Sequence, residues 1–269
     1  MKRIYLEITN ACNLNCPFCT YEKGNSFLSI EDIDKTLIQI KKHCDYIYLH
    51  MLGEPLLHPQ FEDILNLLDK YNLNLQLVTN GTLLYRYPDI LKHKCLRKLS
   101  ISLHSINNLN IDDSYFDTIS NLIENNDDTV IELRFYDQDN LDNKLKNYLD
   151  YLKNEYEFKD TTKHNSFKLK DNLYVYFEEF FRWPDINDEI IGEDGTCHGA
   201  IDMIAINSKL DVTLCCLDPK AYNSLGNLKE KSLDEIISSD LYRKYIDEFR
   251  NHKISSELCK RCTYRLRFR

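Results

Sequence analysis

Three cysteines near the start of the chain have the residue type and the spacing that metal chemistry requires. Cys12, Cys16 and Cys19 are spaced C-x3-C-x2-C and follow directly on residues 3–9, which have the β-branched and aromatic content of a strand. In a loop this short, the sulfurs must converge at the end of that strand. Structural zinc sites and ordinary iron–sulfur clusters take four protein ligands, so three thiolates around a [4Fe–4S] cube leave one iron open to a substrate or cofactor. The spacing alone leaves open a zinc site with a distant fourth ligand, or no metal.

The residue before the last cysteine favours one of these interpretations of the three cysteines. With the aromatic Phe18 in that place, the motif resembles the signature of the radical S-adenosylmethionine (radical SAM) superfamily. The resemblance implies that the open iron chelates the amino and carboxylate groups of the methionine part of SAM. It also implies reductive cleavage of SAM to methionine and a 5′-deoxyadenosyl radical, which abstracts hydrogen from a substrate. Phe18 resembles the aromatic residue whose backbone meets the adenine of SAM.

A short motif after the second predicted strand matches the same family. Gly53, Glu54 and Pro55 resemble its GGE-type motif, in which the backbone and the acidic residue receive the methionine ammonium. A flexible glycine lets backbone carbonyls approach a ligand, and Glu54 offers a counter-charge. The chain has Leu52 where a second glycine is often found, and an ordinary turn is the alternative interpretation.

Three residues on later strands are assigned to the same cofactor by the resemblance. Ser102 on the fourth predicted strand and Arg134 on the fifth are placed to hold the SAM carboxylate or ribose, and Asn80 lies in the turn that closes the third strand. An arginine in an otherwise apolar strand needs an anionic partner. SAM is that partner in this interpretation, and a neighbouring acid in an ordinary salt bridge is the alternative.

A second group of five cysteines lies towards the C-terminus: Cys197, Cys215, Cys216, Cys259 and Cys262. The chain has ten cysteines in 269 residues and begins without an export signal, which favours metal or redox use over disulfides. Cys44 and Cys95 stand apart from both groups, and we expect them to be small buried hydrophobic residues.

The C-terminal segment resembles the short auxiliary-cluster extension of radical SAM enzymes, of the twitch or truncated SPASM type. The Leu-Gly-Asn-Leu run at residues 225–228 and the Ser-Leu-Asp-Glu-Ile run at residues 232–236 are part of this resemblance. It implies a second [4Fe–4S] cluster with four ligands: Cys197, either Cys215 or Cys216, Cys259 and Cys262. The family's hairpin glycine is missing here, so the choice within the neighbouring pair stays open. The spare thiol could be a fifth ligand, a hydrogen-atom donor or packing, and a structural zinc site of four thiolates is the alternative.

For catalysis itself the sequence offers only candidates. Cys215, Cys216 and His104, which lies near the end of the fourth predicted strand, are those candidates. Histidine titrates near neutral pH and so suits proton transfer. Three more histidines lie near predicted strand ends or cysteines: His50, His58 and His198. A structural histidine with satisfied hydrogen bonds is the alternative for each of them.

Six stretches have the pattern of strands: residues 3–9, 44–51, 73–79, 97–104, 129–136 and 173–177. Helical patterns separate them, which predicts βαβ units, a parallel sheet and an active site at the carboxyl ends of the strands. The resemblance adds the shape, an α/β fold with a partial (βα)6 TIM-like barrel. We expect the barrel to span residues 1–190 and a small cluster domain of hairpin and helices to span residues 191–269.

Composition excludes several classes of protein. The formal net charge is −9, which argues against a broad nucleic-acid surface. The hydrophobic content of 43% suits a folded core, and the sequence has neither a membrane-spanning apolar run nor a signal peptide. We therefore expect a soluble cytoplasmic protein that binds neither membranes nor nucleic acid.

Together these patterns predict a radical SAM enzyme with two [4Fe–4S] clusters. The extension favours a peptide substrate, as in peptide or protein maturation, and the family implies a flavodoxin- or ferredoxin-type electron donor. No leader-peptide recognition domain precedes the first strand, so a peptide would need a carrier or direct binding. A sugar, nucleoside or tRNA substrate is one alternative, and a non-catalytic zinc-binding interaction protein is the alternative from another class.

Overall fold

The computed structural model describes residues 1–19, 24–136, 140–179 and 182–268. The strands are β1 (Arg3–Leu6), β2 (Tyr46–Tyr48), β3 (Asn74–Thr79), β4 (Leu96–Ser102), β5 (Val130–Tyr136), β6 (Lys159–Asp160), β7 (Ser166–Lys170), β8 (Leu173–Glu178), β9 (Met203–Ile206), β10 (Asp211–Thr213) and β11 (Ser224–Asn227). The helices are α1 (Ile30–Lys41), α2 (Phe61–Lys70), α3 (Ser114–Glu124), α4 (Asn143–Glu155), α5 (Leu233–Ile237), α6 (Asp240–Arg250) and α7 (Glu257–Arg261). The chain divides into two compact units, Met1–Leu73 with Phe181–Arg269, and Asn74–Phe180.

The first unit is built on a five-stranded sheet in the order β11-β10-β9-β1-β2. Strand β9 pairs in parallel with β1 along its whole length, and β1 pairs in parallel with β2. Strands β10 and β11 continue from β9 as antiparallel neighbours. All four residues of β9 are buried, as are three of the four in β1. The C-terminal segment therefore shares one sheet and one core with the first strand of the chain.

Helix α2 shows how the sequence fixes the helices against this sheet. Its buried residues Phe61, Ile64, Leu65 and Leu68 recur at the spacing of one helix face. Burying side chains of this size stabilises the fold by about 1.5–3 kcal/mol each, as an upper estimate. Ser29 is the N-cap of helix α1, and its hydroxyl accepts the backbone N–H of Asp32.

The second unit contains a six-stranded sheet in the order β3-β4-β5-β8-β7-β6. Strands β3, β4, β5 and β8 are parallel, and β7 and β6 are antiparallel additions. In β5 the residues Ile131, Leu133 and Phe135 are fully buried. Glu132 and Arg134 alternate with them, so they lie on the opposite face. That face therefore carries the polar residues of this sheet.

The predicted α/β class with a parallel-rich sheet is confirmed, and the six predicted strands correspond to β1–β5 and β8. Several boundaries differ: β1 ends at Leu6, β2 shortens to Tyr46–Tyr48, and β4 ends at Ser102, after which Leu103–Ile106 forms a 3₁₀ helix. The sequence analysis missed the β6–β7 pair and the third extension strand, β11. Compactness also divides the chain differently from the expected boundary near residue 190, because β9 pairs with β1. None of the described helices has the length and apolar character that a membrane crossing requires.

Candidate metal centres and cofactor site

The cysteine loop begins where β1 ends, and its first residues are held by hydrogen bonds. The Thr9 hydroxyl donates to the Ser26 carbonyl at 2.8 Å and accepts the Ala11 N–H at 3.0 Å. The Asn10 side chain accepts the Ser26 N–H at 2.8 Å. The loop is thus fixed at its base, immediately before the first cysteine.

The three cysteines of this loop lie close to the protein surface. Cys12 and Cys16 are half-buried and Cys19 is exposed. The Cys19 N–H donates to the Cys16 carbonyl at 3.0 Å, which closes the loop into a tight turn. Among the described residues all ten cysteines are outside disulfides. Three thiols close to the protein surface suit a metal centre that also binds a ligand from solution.

The Gly-Glu-Pro motif packs directly onto the backbone of the cysteine loop. Gly53 has a φ of +77°, and a Cβ on it would lie 2.5 Å from the Thr9 carbonyl oxygen and 2.9 Å from that of Ala11. The Glu54 N–H donates to the Ala11 carbonyl at 2.8 Å. Only glycine fits such a contact, since the left-handed conformation and the close approach both exclude a side chain.

The carboxylate of Glu54 is buried beside this contact. It accepts the Leu56 N–H at 3.1 Å and so caps the 3₁₀ helix Pro55–Leu57, in which Pro55 is the first residue. The residue is 2% exposed. The structure therefore brings Gly53, Glu54 and Pro55 to the cysteine loop, as the sequence predicted, and it adds a capping role for the carboxylate.

The sequence analysis missed a buried acid that supports both the motif and the extension. Glu7 follows β1, is 2% exposed, and accepts the N–H groups of Leu52 at 3.1 Å and Ser208 at 3.2 Å. Burial raises the pKa of this carboxyl, although its hydrogen bonds with Ser208 and Leu52 oppose the shift. An acid within an otherwise apolar first strand was the signal that could have found it.

The five C-terminal cysteines interact electrostatically. Burial raises the pKa of Cys215 well above its usual range, and the charges of Cys216, Cys197, Cys259 and Cys262 raise it further. Burial likewise raises the pKa of Cys259 to about 12, with Cys197 and Cys262 adding to it. A Cβ on Gly199 would lie 3.5 Å from the Cys215 Cβ and 3.7 Å from the Cys197 sulfur. The absence of that side chain lets the two cysteines approach each other.

Hydrogen-bond donors surround these sulfurs. The Gly199 N–H donates to the Cys197 sulfur at 3.4 Å, and the Asn223 amide donates to the Cys259 sulfur at 3.8 Å. The Cys262 sulfur receives the backbone N–H groups of Tyr264 and Arg265. These N–H donors lower the pKa of the Cys197 and Cys262 thiols and so oppose the effect of burial. They would stabilise thiolates, which are the ligands of zinc and of iron–sulfur clusters. The donor set therefore fits the metal centre that the sequence predicted.

Cys216 has different surroundings from its neighbour Cys215. Burial raises its pKa to about 11, while a hydrogen bond with the Tyr5 hydroxyl and the charge of Arg3 oppose the shift. The charge of Cys197 raises the pKa of Cys216 further, and the charge of Cys216 raises that of Cys215. Cys216 thus contacts the first strand, and Cys215 is the member of the pair that interacts with the other three cysteines.

The predicted cofactor residues of the second unit lie at the carboxyl ends of its strands. Ser102 ends β4 and is paired in register with Arg134 on β5. The Arg134 guanidinium forms an ion pair with Glu178 on β8, and both side chains are mostly buried. Arg134 therefore forms the salt bridge with a neighbouring acid that was the alternative to SAM as its anionic partner. Asn80 follows β3, where its side chain accepts the Thr82 N–H at 2.9 Å.

His104 lies beside Arg134 in the same unit. Its Nδ1 is 3.2 Å from the Arg134 carbonyl, and its ring stacks on Tyr136 with the centroids 3.6 Å apart. Burial, and then the charge of Arg134, lowers the pKa of His104 to about 3. The imidazole is therefore neutral at physiological pH, and Nδ1 carries the proton because a carbonyl can only accept.

The other histidines have structural partners. His58 is buried with Nε2 2.9 Å from the Leu28 carbonyl, and its Nδ1 accepts the Gln60 N–H. His198 pairs with Asp202 at 2.6 Å. His50 stacks edge-on against Tyr5. Cys44 and Cys95 are both buried, as predicted.

Two family models match the chain. The model of the radical SAM superfamily matches residues 6–133, and the SPASM model, an iron–sulfur cluster-binding domain, matches residues 197–263.

Curated relatives are similar over shorter segments. A "tungsten-containing aldehyde ferredoxin oxidoreductase cofactor-modifying protein" of Pyrococcus furiosus is 39% identical over 93 residues, which are 31% of this chain and 25% of that protein. A probable GTP 3′,8-cyclase of Pyrococcus horikoshii is 29% identical over 105 residues, which are 38% of this chain and 34% of that protein. The chain thus matches about a quarter to a third of the length of these relatives.

Several solved structures share the fold. The structure of anSMEcpe with bound AdoMet is 15% identical with a TM-score of 0.63, and the match covers 98% of this chain and 83% of that one. BtrN in complex with AdoMet and 2-DOIA is 14% identical with a TM-score of 0.56, covering 97% and 92%. Streptococcus suis SuiB bound to S-adenosylmethionine is 13% identical with a TM-score of 0.55, covering 90% and 67%.

Proposed function

Because the chain belongs to the radical SAM superfamily and contains an iron–sulfur cluster-binding domain, we propose that it is an enzyme that uses SAM to abstract hydrogen from a peptide. When bound, the first cluster supplies the electron that cleaves SAM to methionine and a 5′-deoxyadenosyl radical. The protein positions SAM and excludes water and competing reactions.

The contact between the Gly-Glu-Pro motif and the cysteine loop carries this proposal. Gly53 lies against the carbonyls of Thr9 and Ala11, and the Glu54 N–H is bonded to Ala11. A ligand held by Cys12, Cys16 and Cys19 would therefore meet the motif's backbone and carboxylate. In this role the motif binds the SAM ammonium, and hydrogen bonds to a charged group are stronger than neutral ones.

The family motifs also assign residues of the second unit to SAM binding. Ser102 would bind the carboxylate or ribose, and Arg134 would do so while it stays paired with Glu178. Asn80 and Phe18 are assigned to the same cofactor by their places in the family motif. His104, neutral and with its Nδ1 donating to the Arg134 carbonyl, would orient the strand ends through that hydrogen bond.

The C-terminal cysteines would hold the second cluster. Cys197, Cys215, Cys259 and Cys262 are the proposed ligands, since Cys215 interacts with the other three and Cys216 contacts Tyr5. Cys216 is then left for packing or hydrogen transfer. A donor of the flavodoxin or ferredoxin type would supply the electrons.

The first experiment separates this proposal from a zinc-binding protein. Protein purified and reconstituted without oxygen should contain about eight irons with matching sulfide. On reduction with flavodoxin or dithionite it should convert SAM to 5′-deoxyadenosine. One or two zinc ions, no iron and no SAM cleavage would refute the enzyme proposal.

The substrate class rests on likeness of fold alone. anSMEcpe with bound AdoMet and the Cp18Cys peptide covers 98% of this chain, which supports a peptide. BtrN, in complex with 2-DOIA, covers 97%, and the GTP 3′,8-cyclases are curated relatives, which favours a small molecule as the second candidate.

A labelling experiment distinguishes the two substrate classes. Extract from the producing cells grown on deuterated medium is separated into a peptide and a small-molecule fraction. Each fraction is then incubated with reduced enzyme and unlabelled SAM. A peptide substrate predicts deuterium in 5′-deoxyadenosine from the peptide fraction only. Deuterium from the small-molecule fraction only would establish the second candidate instead.

A further inference from the structure

The guanidinium of Arg265 is buried within the first unit, and among the described residues its hydrogen bonds all go to backbone carbonyls. The residue is 3% exposed. Its Nε donates to the Cys259 carbonyl at 2.9 Å, Nη1 to the Asp194 carbonyl at 2.7 Å and Nη2 to the Gly192 carbonyl at 2.7 Å. These three hydrogen bonds fix the plane of the guanidinium.

The positive charge of this side chain has no acidic partner in the part of the chain that the structure describes. Among the described residues, no carboxylate lies within ion-pair distance of Arg265, whereas the nearby Arg261 pairs with Glu257 at 2.8 Å. A buried charge is costly unless an opposite charge compensates it. The local fold nevertheless holds this charge in the interior.

The loop before Cys197 leaves space for the guanidinium. A Cβ on Gly195 would lie 2.7 Å from Nη1, and one on Gly192 would lie 3.7 Å from Nη2. Both glycines have positive φ, 134° and 147°, a conformation that residues with side chains rarely adopt. Two glycines in this conformation therefore form a cradle of carbonyls around one cation.

The cradle places the cation beside the C-terminal cysteines. Nε is bonded to the carbonyl of Cys259, Cys262 precedes Arg265 by three residues, and Cys197 follows Gly195 by two. The charge of Arg265 acts on the sulfurs of both Cys197 and Cys262. Four thiolates around a [4Fe–4S] cube give an anion, and such an anion is the missing counter-charge.

We propose that Arg265 is the built-in counter-charge of the second iron–sulfur cluster and raises its reduction potential. The inference rests on the proposed second cluster. It makes Arg265 a positioning residue, which acts on the cluster through charge and not by ligation. Cluster potentials depend on net charge, hydrogen bonds to sulfur and solvent exposure, and a nearby cation favours the reduced form because that form is more negative.

The test is a redox titration of the reconstituted holoenzyme, followed by electron paramagnetic resonance. The signal of the second cluster is the one that remains when Cys12, Cys16 and Cys19 are replaced by alanine. Arg265→Met removes the charge and keeps an apolar stem. We expect its midpoint to fall so that the ratio of reduced to oxidised cluster changes about tenfold, which is about 59 mV for one electron.

Two matched variants separate charge from structure. Arg265→Lys keeps the charge but loses the three hydrogen bonds of the planar guanidinium, so its midpoint should stay near that of the wild type. Arg261→Met removes a charge already neutralised by Glu257, so it should leave the midpoint unchanged. An Arg265→Met protein with its cluster intact and an unchanged midpoint would overturn the proposal.

A variant that fails to bind the second cluster is interpreted separately. If Arg265→Met cannot hold the second cluster, Arg265→Lys distinguishes the two roles of the side chain. Loss of the cluster in Arg265→Lys as well would assign the role to hydrogen bonding and overturn the charge proposal. If the wild type itself contains only about four irons, the proposed second cluster fails, which is a different result from an unmoved midpoint.

Discussion

The two cysteine sites of the first unit differ in how they meet solvent. In the N-terminal loop Cys12 and Cys16 are half-buried and Cys19 is exposed. In the extension all five cysteines are half-buried and none is exposed, and burial is the largest cause of the raised pKa of Cys197, Cys215, Cys259 and Cys262. Metal sites that bind substrates keep an open position, and structural ones are closed by protein ligands. The exposed Cys19 fits a site that admits a cofactor, and the half-buried extension cysteines fit a site held by protein ligands alone.

Removing the N-terminal thiols gives the largest expected effect on activity. Replacing Cys12, Cys16 and Cys19 by alanine should remove about four irons and all formation of 5′-deoxyadenosine. The midpoint of urea unfolding should change little, because the loop contributes little buried surface. Iron analysis, a product assay and unfolding curves check this. Cys44→Ala is the matched control and should keep its irons, and SAM cleavage by the triple variant would refute the open-site assignment.

The neighbouring pair in the extension tests the closed site. Cys215→Ser should lose about four irons and unfold more readily, since it removes one of the four proposed ligands of the second cluster. Cys216→Ser should keep them, because Cys216 contacts Tyr5. Iron content and the spectrum of the second cluster distinguish the two variants. The opposite result would exchange the assignment of ligand and spare thiol.

The Gly53 contact tests how tightly the open site is built. Gly53→Ala should cost about 1–3 kcal/mol of unfolding free energy through its backbone conformation, because its Cβ would meet two carbonyls of the cysteine loop. SAM affinity should fall about tenfold, which corresponds to 1.4 kcal/mol. Urea unfolding and calorimetric titration with SAM measure the two effects.

Gly226→Ala is the matched control for that prediction. Gly226 also has a positive φ, of 147°, but its Cβ would meet the flexible side chain of Ile236. It should lower stability and leave SAM affinity unchanged. Equal losses of SAM affinity in both variants would mean that Gly53 acts through general stability alone.

Local patterns predicted much of both sites. The strand before Cys12, the Gly-Glu-Pro motif and a helix in the Ser-Leu-Asp-Glu-Ile run are all present, since short-range chemistry determines them. The parallel pairing of β9 with β1 joins residues about 200 apart and leaves no local signal. The choice between Cys215 and Cys216 likewise depends on which side chain meets Tyr5. The cradle around Arg265 depends on two glycines some 70 residues away, and sequence spacing cannot pair them.

Glu7 links the two sites and gives the smallest predicted effect. Its carboxylate accepts the N–H of Leu52, next to Gly53, and that of Ser208, in the turn between β9 and β10. In Glu7→Gln one of these two donors loses its acceptor, which should cost about 1–3 kcal/mol of unfolding free energy. Urea unfolding of both proteins measures this cost.

The pH dependence of that difference tests the buried carboxyl itself. Because the pKa of Glu7 is raised from its ordinary 4.5, the folded protein holds a proton that the unfolded chain has released just above that pH. The Glu7 contribution to stability is therefore present in full below pH 4.5 and falls as pH rises through the raised pKa. Glu7→Gln cannot titrate, so its stability deficit relative to the wild type should shrink as the pH rises above 4.5 and through the raised pKa. A deficit that grows with pH would mean that the two N–H donors stabilise the anion more than burial destabilises it, and the link between the sites would then be a charged one.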